Sequence, residues 1–155
     1  MKFEKIDVTK ANVNPFQRIG QDWMLISAKK EGKVNTMTAS WGMMGVFWGK
    51  NVVTVGIRPQ RFTKEFVDAG DTFTLTFFDG ERKQEMGYLG KVSGRDEDKF
   101  AKADIKWEDA TYVDAPILTD CPVSIECSVV DSTMPGTHEL FIGKVEAIHV
   151  DEEYL

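Results

Sequence analysis

The sequence predicts a mainly β protein, built as a closed or partly closed antiparallel barrel with a few short helices. Several segments are rich in β-branched or alternating residues, such as the run of Thr with Phe and Leu in "DTFTLTFF" at 71–78. The helical patterns between these segments are short. Many short strands with few helices favour a barrel, because closure removes the exposed edges of a sheet.

The elements follow one another without a long linker or a repeat. Strands are predicted at 22–30, from 33 to about 41, and at 51–57, 71–78, 121–133 and 138–150, the last two joined by a hairpin-like turn at "MPG". Short helices are predicted at 63–69, 80–90 and 96–103. We therefore expect a single domain over residues 1–155.

Composition narrows the possible functions. The chain has 155 residues, of which 42% are hydrophobic, and its net charge is −6. This acidic balance argues against nucleic acid as a partner, because phosphate-backbone binding requires an excess of Lys and Arg. No segment approaches the ~20 apolar residues of a membrane span, and the charged N-terminus lacks a signal-peptide pattern, so a cytoplasmic protein is expected. Without C-x-x-C or a Cys/His cluster, no metal site is predicted.

A strand with small hydroxyl residues is the first candidate ligand site. In "KVNTMTASWGMMG" the side chains of Thr36, Thr38 and Ser40 share one face of the predicted strand, while those of Asn35, Met37, Ala39 and Trp41 share the other. Small residues leave room for a flat, polar-edged ligand beside the backbone. The alternative is an ordinary Thr-rich strand that faces solvent.

A local group of positive charges is the second candidate site. "IRPQRFTKEF" places Arg58, Arg61 and Lys64 within seven residues, against the single acid Glu65. Here Thr63 is predicted to cap a helix, and the N–H groups of a helix N-terminus suit a phosphate group. The alternative is a solvated helix start. Neither a P-loop nor a G-x-G-x-x-G motif is present.

Four motifs in order resemble a known family. "NTMTASW", "RPQRFT", "KVSGRDEDKF" and "GTHELFIGKV" resemble the flavin reductase-like group of FMN-binding split barrels, which includes the flavoredoxins. The resemblance implies a six-stranded Greek-key split barrel, a homodimer, and FMN near the dimer interface. It places Asn35, Thr36, Met37, Thr38, Ala39 and Ser40 along the isoalloxazine and ribityl chain. It also places Arg61 and Thr63 at the phosphate with Arg58 nearby, and Lys91, Ser93 and Arg95 over the phosphate end.

The resemblance also suggests a residue for the nicotinamide. The family often has Gly-Asp-His where this chain has Gly136-Thr137-His138, and that His lies near the nicotinamide of NAD(P)H. His138 is therefore the candidate catalytic residue, although Thr replaces the acid. Either Trp41 or Trp48 is expected to contact the ring or the partner subunit. His149 is interpreted as structural.

Three functions follow as hypotheses. The first is an FMN-dependent oxidoreductase that takes hydride from NAD(P)H, with the flavin as electron acceptor. The second is a flavoredoxin-like carrier that exchanges electrons with a redox protein partner. The third is a barrel that binds another phosphorylated ligand without redox chemistry. The apolar segment "WGMMGVFWG" is expected to be a loop that is buried in a homodimer or folded over its own barrel.

Overall fold

The structure is a computed structural model that describes residues 3–154. Within that range the chain forms ten strands, four helices and several single turns of 3₁₀- or π-helix. The strands are β1 (Glu4–Ile6), β2 (Met24–Lys30), β3 (Lys33–Ala39), β4 (Gly42–Phe47), β5 (Lys50–Ile57), β6 (Thr72–Phe77), β7 (Trp107–Asp109), β8 (Pro116–Leu118), β9 (Val123–Thr133) and β10 (Glu139–Val150). The helices are α1 (Pro15–Gln17), α2 (Phe62–Gly70), α3 (Lys83–Lys91) and α4 (Lys99–Lys102).

One antiparallel sheet of eight strands dominates the fold. Its order is β3-β2-β6-β9-β10-β5-β4, with β1 paired to β10, while β7 and β8 form a separate pair. The two end strands of this order, β3 and β4, follow one another in the chain with only Ser40 and Trp41 between them. The sheet therefore curls back on itself, which confirms the predicted mainly β barrel.

The sheet has more strands than the six implied by the resemblance, and one of the extra strands corrects a prediction. "WGMMGVFWG" is not a loop: it contains β4, which pairs with β5 from Gly42 opposite Val55 to Phe47 opposite Lys50. Trp48 and Gly49 connect the two strands with positive φ angles of 51° and 67°. Two such residues form the tight turn that suits the twist of a hairpin, so the apolar segment continues as an edge strand.

The predicted helices are present with changed bounds. Predicted helix 63–69 is α2, and 80–90 is a 3₁₀ turn followed by α3. Predicted helix 96–103 shortens to α4, because the side chain of Asp98 accepts from the backbone N–H of Ala101 and so caps the helix at that point. No helix among residues 3–154 is long and apolar enough to cross a membrane.

Two apolar clusters hold the helices against the barrel. The larger lies inside the barrel and includes the fully buried Phe73 and Phe77. At Gly143 of β10 an added Cβ would lie 2.6 Å from Cζ of Phe73, so only glycine leaves room for that ring. The smaller cluster packs Met86 and Leu89 of α3 against Leu25 and Leu118. It fixes the C-terminal end of α3 beside β3, where the candidate site lies.

Candidate cofactor-binding site

A cavity of about 330 Å³ opens where β3, β5 and β10 meet. Glu139 pairs with Ile57 in the β5–β10 ladder, which brings His138 and Arg58 together at one end of the barrel. The lining residues are Met37, Thr38, Ala39, Ser40, Trp41, Gly56, Arg58, Arg61 and His138. All except Gly56 were predicted from the sequence.

Gly56 carries a signal that the sequence prediction did not use. It interrupts the β-branched run of β5, and a Cβ at this position would lie 3.4 Å from the Cβ of His138. A glycine inside a strand often marks a close approach of another group. Here the contact is an ordinary van der Waals distance, so Gly56 marks where His138 packs on the strand without being required for it.

A smaller recess of about 70 Å³ adjoins this cavity and shares Met37 and Arg61 with it. The N-terminus of α2, the end of α3 and the side chain at the start of α4 form its walls. The lining residues are Asn35, Met37, Gln60, Arg61, Phe62, Thr63, Lys91, Val92, Ser93 and Lys99. Four residues that were predicted at a phosphate, Arg61, Thr63, Lys91 and Ser93, are thus brought together from separate parts of the chain.

Arg61 gives this recess its positive charge. Its Nη1 donates to the carbonyl of Gly90 at 2.8 Å, whereas its Nη2 is buried and has no hydrogen-bond partner in the described part of the chain. Burial, with a smaller contribution from the charge of Arg58, lowers the pKa of Arg61. Because arginine stays protonated in proteins, the recess keeps a cation with a free donor. That arrangement favours an anionic ligand group with acceptor oxygens.

The start of α2 differs from the prediction. Arg61, not Thr63, is the N-cap: its backbone is extended, and its carbonyl accepts from the N–H of Lys64 at 3.1 Å. Thr63 is the second residue of the helix and is buried, and its hydroxyl accepts a hydrogen bond from Nδ2 of Asn35 at 2.9 Å. A turn from Arg58 to Arg61 starts the helix earlier than the Thr suggested. The Thr63 hydroxyl proton remains free to donate into the recess.

The hydroxyl row on β3 has mixed roles, which corrects the prediction for Thr36. The hydroxyl of Thr36 donates to the carbonyl of Ile26 at 3.2 Å and accepts from Ser27 at 2.9 Å, so it lines neither cavity. Thr38 lines the larger cavity, but its hydroxyl donates to the carbonyl of Met86 at 2.6 Å. These two hydroxyls hold β2 and α3 to β3. β3 ends the sheet order, and its residues Met37, Thr38 and Ala39 line the larger cavity, so the backbone groups of an edge strand are available to a ligand there.

Arg95 lies outside both cavities, contrary to the prediction. Its guanidinium forms an ion pair with Glu65 of α2 and lies 4.6 Å from the centre of the Phe62 ring. A carboxylate one turn after Phe62 on the helix surface holds Arg95 over that ring. It borders a separate groove that also includes Lys33 and Trp107.

Gly94 allows the segment after α3 to pack closely against residues that line the recess. A Cβ at this glycine would lie 2.1 Å from Oδ1 of Asn35 and 3.1 Å from the Phe62 ring. Any side chain here would push Asn35 away from Thr63. The glycine of the "KVSGR" motif is thus needed for close packing beside the recess.

Sequence analysis missed Lys99. Its side chain is 3% exposed, lines the recess, and donates to the carbonyls of Thr36 and Leu89 at 2.9 Å each. The acidic residues around it in "DEDKF" suggested a solvated surface, and only the adjacent apolar Phe100 pointed inward. Burial and then the charge of Arg61, opposed by Glu97, lower the pKa of Lys99 to about 8.

An aromatic pair stands at the mouth of the larger cavity. The rings of Trp41 and His138 lie 4.7 Å apart at 47°, and Trp41 is 65% exposed. Nδ1 of His138 lies 2.9 Å from the hydroxyl of Thr137, the residue that replaces the expected acid. Trp48 does not line this cavity: it packs edge-on against Phe47 beside the β4–β5 turn. Trp41 is therefore the tryptophan that can contact a bound ring.

Comparison with known proteins agrees with this geometry. The family model described as a flavin reductase like domain matches residues 16–155. A Moorella thermoacetica protein named high molecular weight rubredoxin is 31% identical over 123 residues, which are 78% of this chain and 52% of that protein. Flavoredoxin from Methanosarcina acetivorans has a TM-score of 0.78 at 26% identity, covering 86% of this chain and 70% of that chain.

The fold extends to more distant sequences. The FMN-binding domain of a flavin reductases-like enzyme from Shewanella baltica has a TM-score of 0.83 at 19% identity, covering 99% of this chain and 80% of that one. The curated relatives are longer proteins, of which this chain spans between 50% and 69%.

Proposed function

The chain belongs to the flavin reductase-like family, and we propose that it is an FMN-dependent oxidoreductase that takes hydride from NAD(P)H. The observation that carries this proposal is the positive recess beside the larger cavity. Arg61, whose Nη2 is buried without a hydrogen-bond partner among residues 3–154, lines both a space of about 70 Å³ and one of about 330 Å³. A terminal phosphate fits the first and a flat ring the second. Bound FMN supplies the hydride- and electron-accepting chemistry.

In this proposal, different residues bind different parts of FMN. Arg61, Lys99 and the N–H groups at the start of α2 hold the phosphate by charge and hydrogen bonds. The outer edge of β3, from Met37 to Ser40, meets the polar edge of the ring with its backbone groups. Trp41 and His138 border the remaining opening, where a nicotinamide ring has to enter.

We expect His138→Ala to slow flavin reduction about tenfold or more while FMN affinity stays nearly unchanged. The imidazole stands at the cavity mouth, where it orients the nicotinamide carboxamide or stacks on its ring, and poor positioning of reactants is costly in rate. Anaerobic mixing of the FMN-loaded protein with NADH or NADPH, followed as the loss of visible flavin absorbance, measures this rate.

Met134→Ala provides the matched control for this experiment. Met134 is exposed in the same β9–β10 connection and lines neither cavity, so its replacement should leave the reduction rate unchanged. Fast reduction that is insensitive to His138→Ala would retain the oxidoreductase and remove the role of His138.

A second candidate function is an electron carrier that exchanges electrons with a redox protein partner. Thr137 in place of an acid beside His138 favours it, as do the similar proteins named flavoredoxin and high molecular weight rubredoxin. A carrier would be reduced by dithionite but not at a useful rate by NADH or NADPH. A purified protein that releases no FMN and binds none would contradict both candidates and support another phosphorylated ligand.

A homodimer is part of the same proposal. The name apolar face is used for the exposed apolar surface around β4 and its turn, which includes both sides of this edge strand. Its members are between 55% and 71% exposed: Trp41, Met43, Val46, Phe47 and Trp48. Two further cavities of about 430 and 380 Å³ lie along this apolar face, and the first shares Ser40 and Trp41 with the cofactor cavity. An apolar surface of this density is typical of a protein interface. A second copy that covers it would also complete the wall of the cofactor cavity.

Light scattering at micromolar concentration should therefore give twice the 17.5 kDa mass of the chain. Met43→Glu places a charge in the middle of the apolar face and should shift the protein to the monomer, because an unpaired charge is costly to bury. Val130→Glu, at an exposed position on β9, is the matched control. A monomeric wild-type protein that still binds FMN would contradict the dimer.

A further inference from the structure

Lys99 is a buried lysine that has no ion-pair partner in the described part of the chain. Its Nζ donates to two carbonyl oxygens, those of Thr36 on β3 and Leu89 on α3. An ammonium group has three donors, so one N–H remains, and Lys99 lines the recess. A methionine of similar length would fill the same space without the cost of burying a charge. The ammonium therefore needs a reason beyond packing.

The charged groups around Lys99 compensate its charge only in part. Arg61 from the start of α2 and Lys91 from the end of α3 line the same recess. Lys99 also lines the separate groove beside Arg95, whose lining includes Asp96, Glu97 and Asp98, and of these Glu97 favours the charged form of Lys99. Glu97 precedes α4, but its carboxylate is paired with Lys102. The facing residues of β3, Asn35 and Thr36, are uncharged. Among residues 3–154, no carboxylate forms an ion pair with Lys99 or Arg61.

We propose, building on the function proposed above, that Lys99 selects the phosphate dianion of the ligand and takes up a proton from solvent as that phosphate binds. The neutral amine gains a proton at Nζ, and the resulting ammonium donates its third N–H to a phosphate oxygen. Neutral ligands of the same ring system leave the amine unchanged. Lys99 would thus act as a specificity-determining residue of the recess.

The direction of the proton transfer follows from the surroundings of Lys99. Burial, reinforced by Arg61 and opposed by Glu97, brings the pKa of Lys99 to about 8 before any ligand is present. A doubly negative group at hydrogen-bond distance favours the charged form and raises this pKa. Near pH 8 the free protein therefore holds a mixture of amine and ammonium, and the bound phosphate shifts this mixture towards the ammonium.

Titration calorimetry at pH 8, repeated in buffers of different ionisation enthalpy, counts the protons that are taken up. Phosphate monoesters have a second pKa of about 6, so the phosphate of FMN does not itself change protonation at this pH. The expected result is net uptake of a fraction of a proton for FMN and none for riboflavin. Riboflavin carries the same ring and ribityl chain, so it removes any contribution of the isoalloxazine.

Two variants test the residue directly. Lys99→Met should abolish proton uptake and lower the ratio of FMN to riboflavin affinity about tenfold or more, the loss of one charge-assisted hydrogen bond. Lys99→Arg keeps a charge that does not titrate, so it should also abolish uptake while retaining more of the preference for FMN. Lys106→Met, which replaces an exposed lysine, should change neither quantity.

The outcomes separate this inference from the proposed function. FMN binding to the wild type without proton uptake would overturn the role of Lys99 and leave the FMN site intact. That measurement needs no variant, so it decides the matter even if Lys99→Met does not fold. Absence of any preference for FMN over riboflavin in the wild type would overturn the proposed phosphate site itself, and the inference with it.

Discussion

Replacing Arg61 by alanine is expected to weaken FMN binding by about ten- to a hundredfold. A hydrogen bond to a charged group contributes roughly 1.5–3 kcal/mol, and each 1.4 kcal/mol is about a tenfold change in affinity. Nη2 of Arg61 is buried and has no hydrogen-bond partner within residues 3–154, so its desolvation is already complete before the ligand arrives. Riboflavin lacks the phosphate, so its affinity should change little. Fluorescence titration with both flavins measures the difference.

Arg95→Ala is the matched control for Arg61. Arg95 was predicted at the same phosphate, but its guanidinium is held by Glu65 outside the recess. Its removal should leave FMN affinity within about twofold, since exposed ion pairs contribute little. Because Nη1 of Arg61 also bonds the carbonyl of Gly90, thermal unfolding of Arg61→Ala has to show that the variant is folded. Equal loss of riboflavin and FMN affinity would mean that Arg61 supports the ring cavity rather than the phosphate.

The largest effect on stability is expected at Glu126, far from the cofactor. This carboxylate is fully buried in β9. Oε1 accepts from Nε2 of His149 at 2.7 Å and from the N–H of Thr111 at 3.2 Å, and Oε2 accepts from the N–H of Tyr112 at 2.6 Å. Glu126→Ala leaves three donors without an acceptor. Breaking a buried pair of this kind costs about 3–5 kcal/mol.

The melting temperature should therefore fall by roughly 6–20 °C, given about 2–4 °C per kcal/mol for a chain of this size. Glu126→Gln keeps the shape and one acceptor oxygen, so a smaller decrease is expected. Glu146→Ala is the control: this glutamate on β10 pairs with Lys144 and Ser128 at the surface and should cost less than about 1 kcal/mol. Equal melting temperatures for Glu126→Ala and Glu146→Ala would show that the buried carboxylate does not hold the segment at 111–112.

The same contacts give His149 the structural role expected from the sequence. His138 and His149 are the two histidines of the chain. His138 borders the larger cavity, whereas His149 forms a hydrogen bond with the buried carboxylate of Glu126 on β9.

The sequence by itself determined the features that depend on neighbours in the chain. Strand alternation, the glycine turns and the short helical patterns predicted a mainly β barrel, because backbone preferences and side-chain periodicity act over a few residues. The ordered motifs indicated the family. Eight of the nine residues that line the larger cavity were predicted as site residues from the sequence. In "RPQRFT" the positive charges and the following helix predicted an anion site, and in the structure Arg61 lines the smaller recess.

Only the tertiary structure decided which partner each polar side chain takes. Lys99 reaches the carbonyl of Thr36 across 63 positions of sequence, and Arg95 is captured by Glu65 across 30. Thr36 turns its hydroxyl to the neighbouring strand rather than to a ligand. A charge or hydroxyl binds whichever group folding brings within about 3 Å, and local spacing does not encode that distance. The apolar segment at 41–49 was predicted as a loop but contains the edge strand β4. Its pairing with β5 depends on the arrangement of the strands in the barrel, which local sequence does not encode.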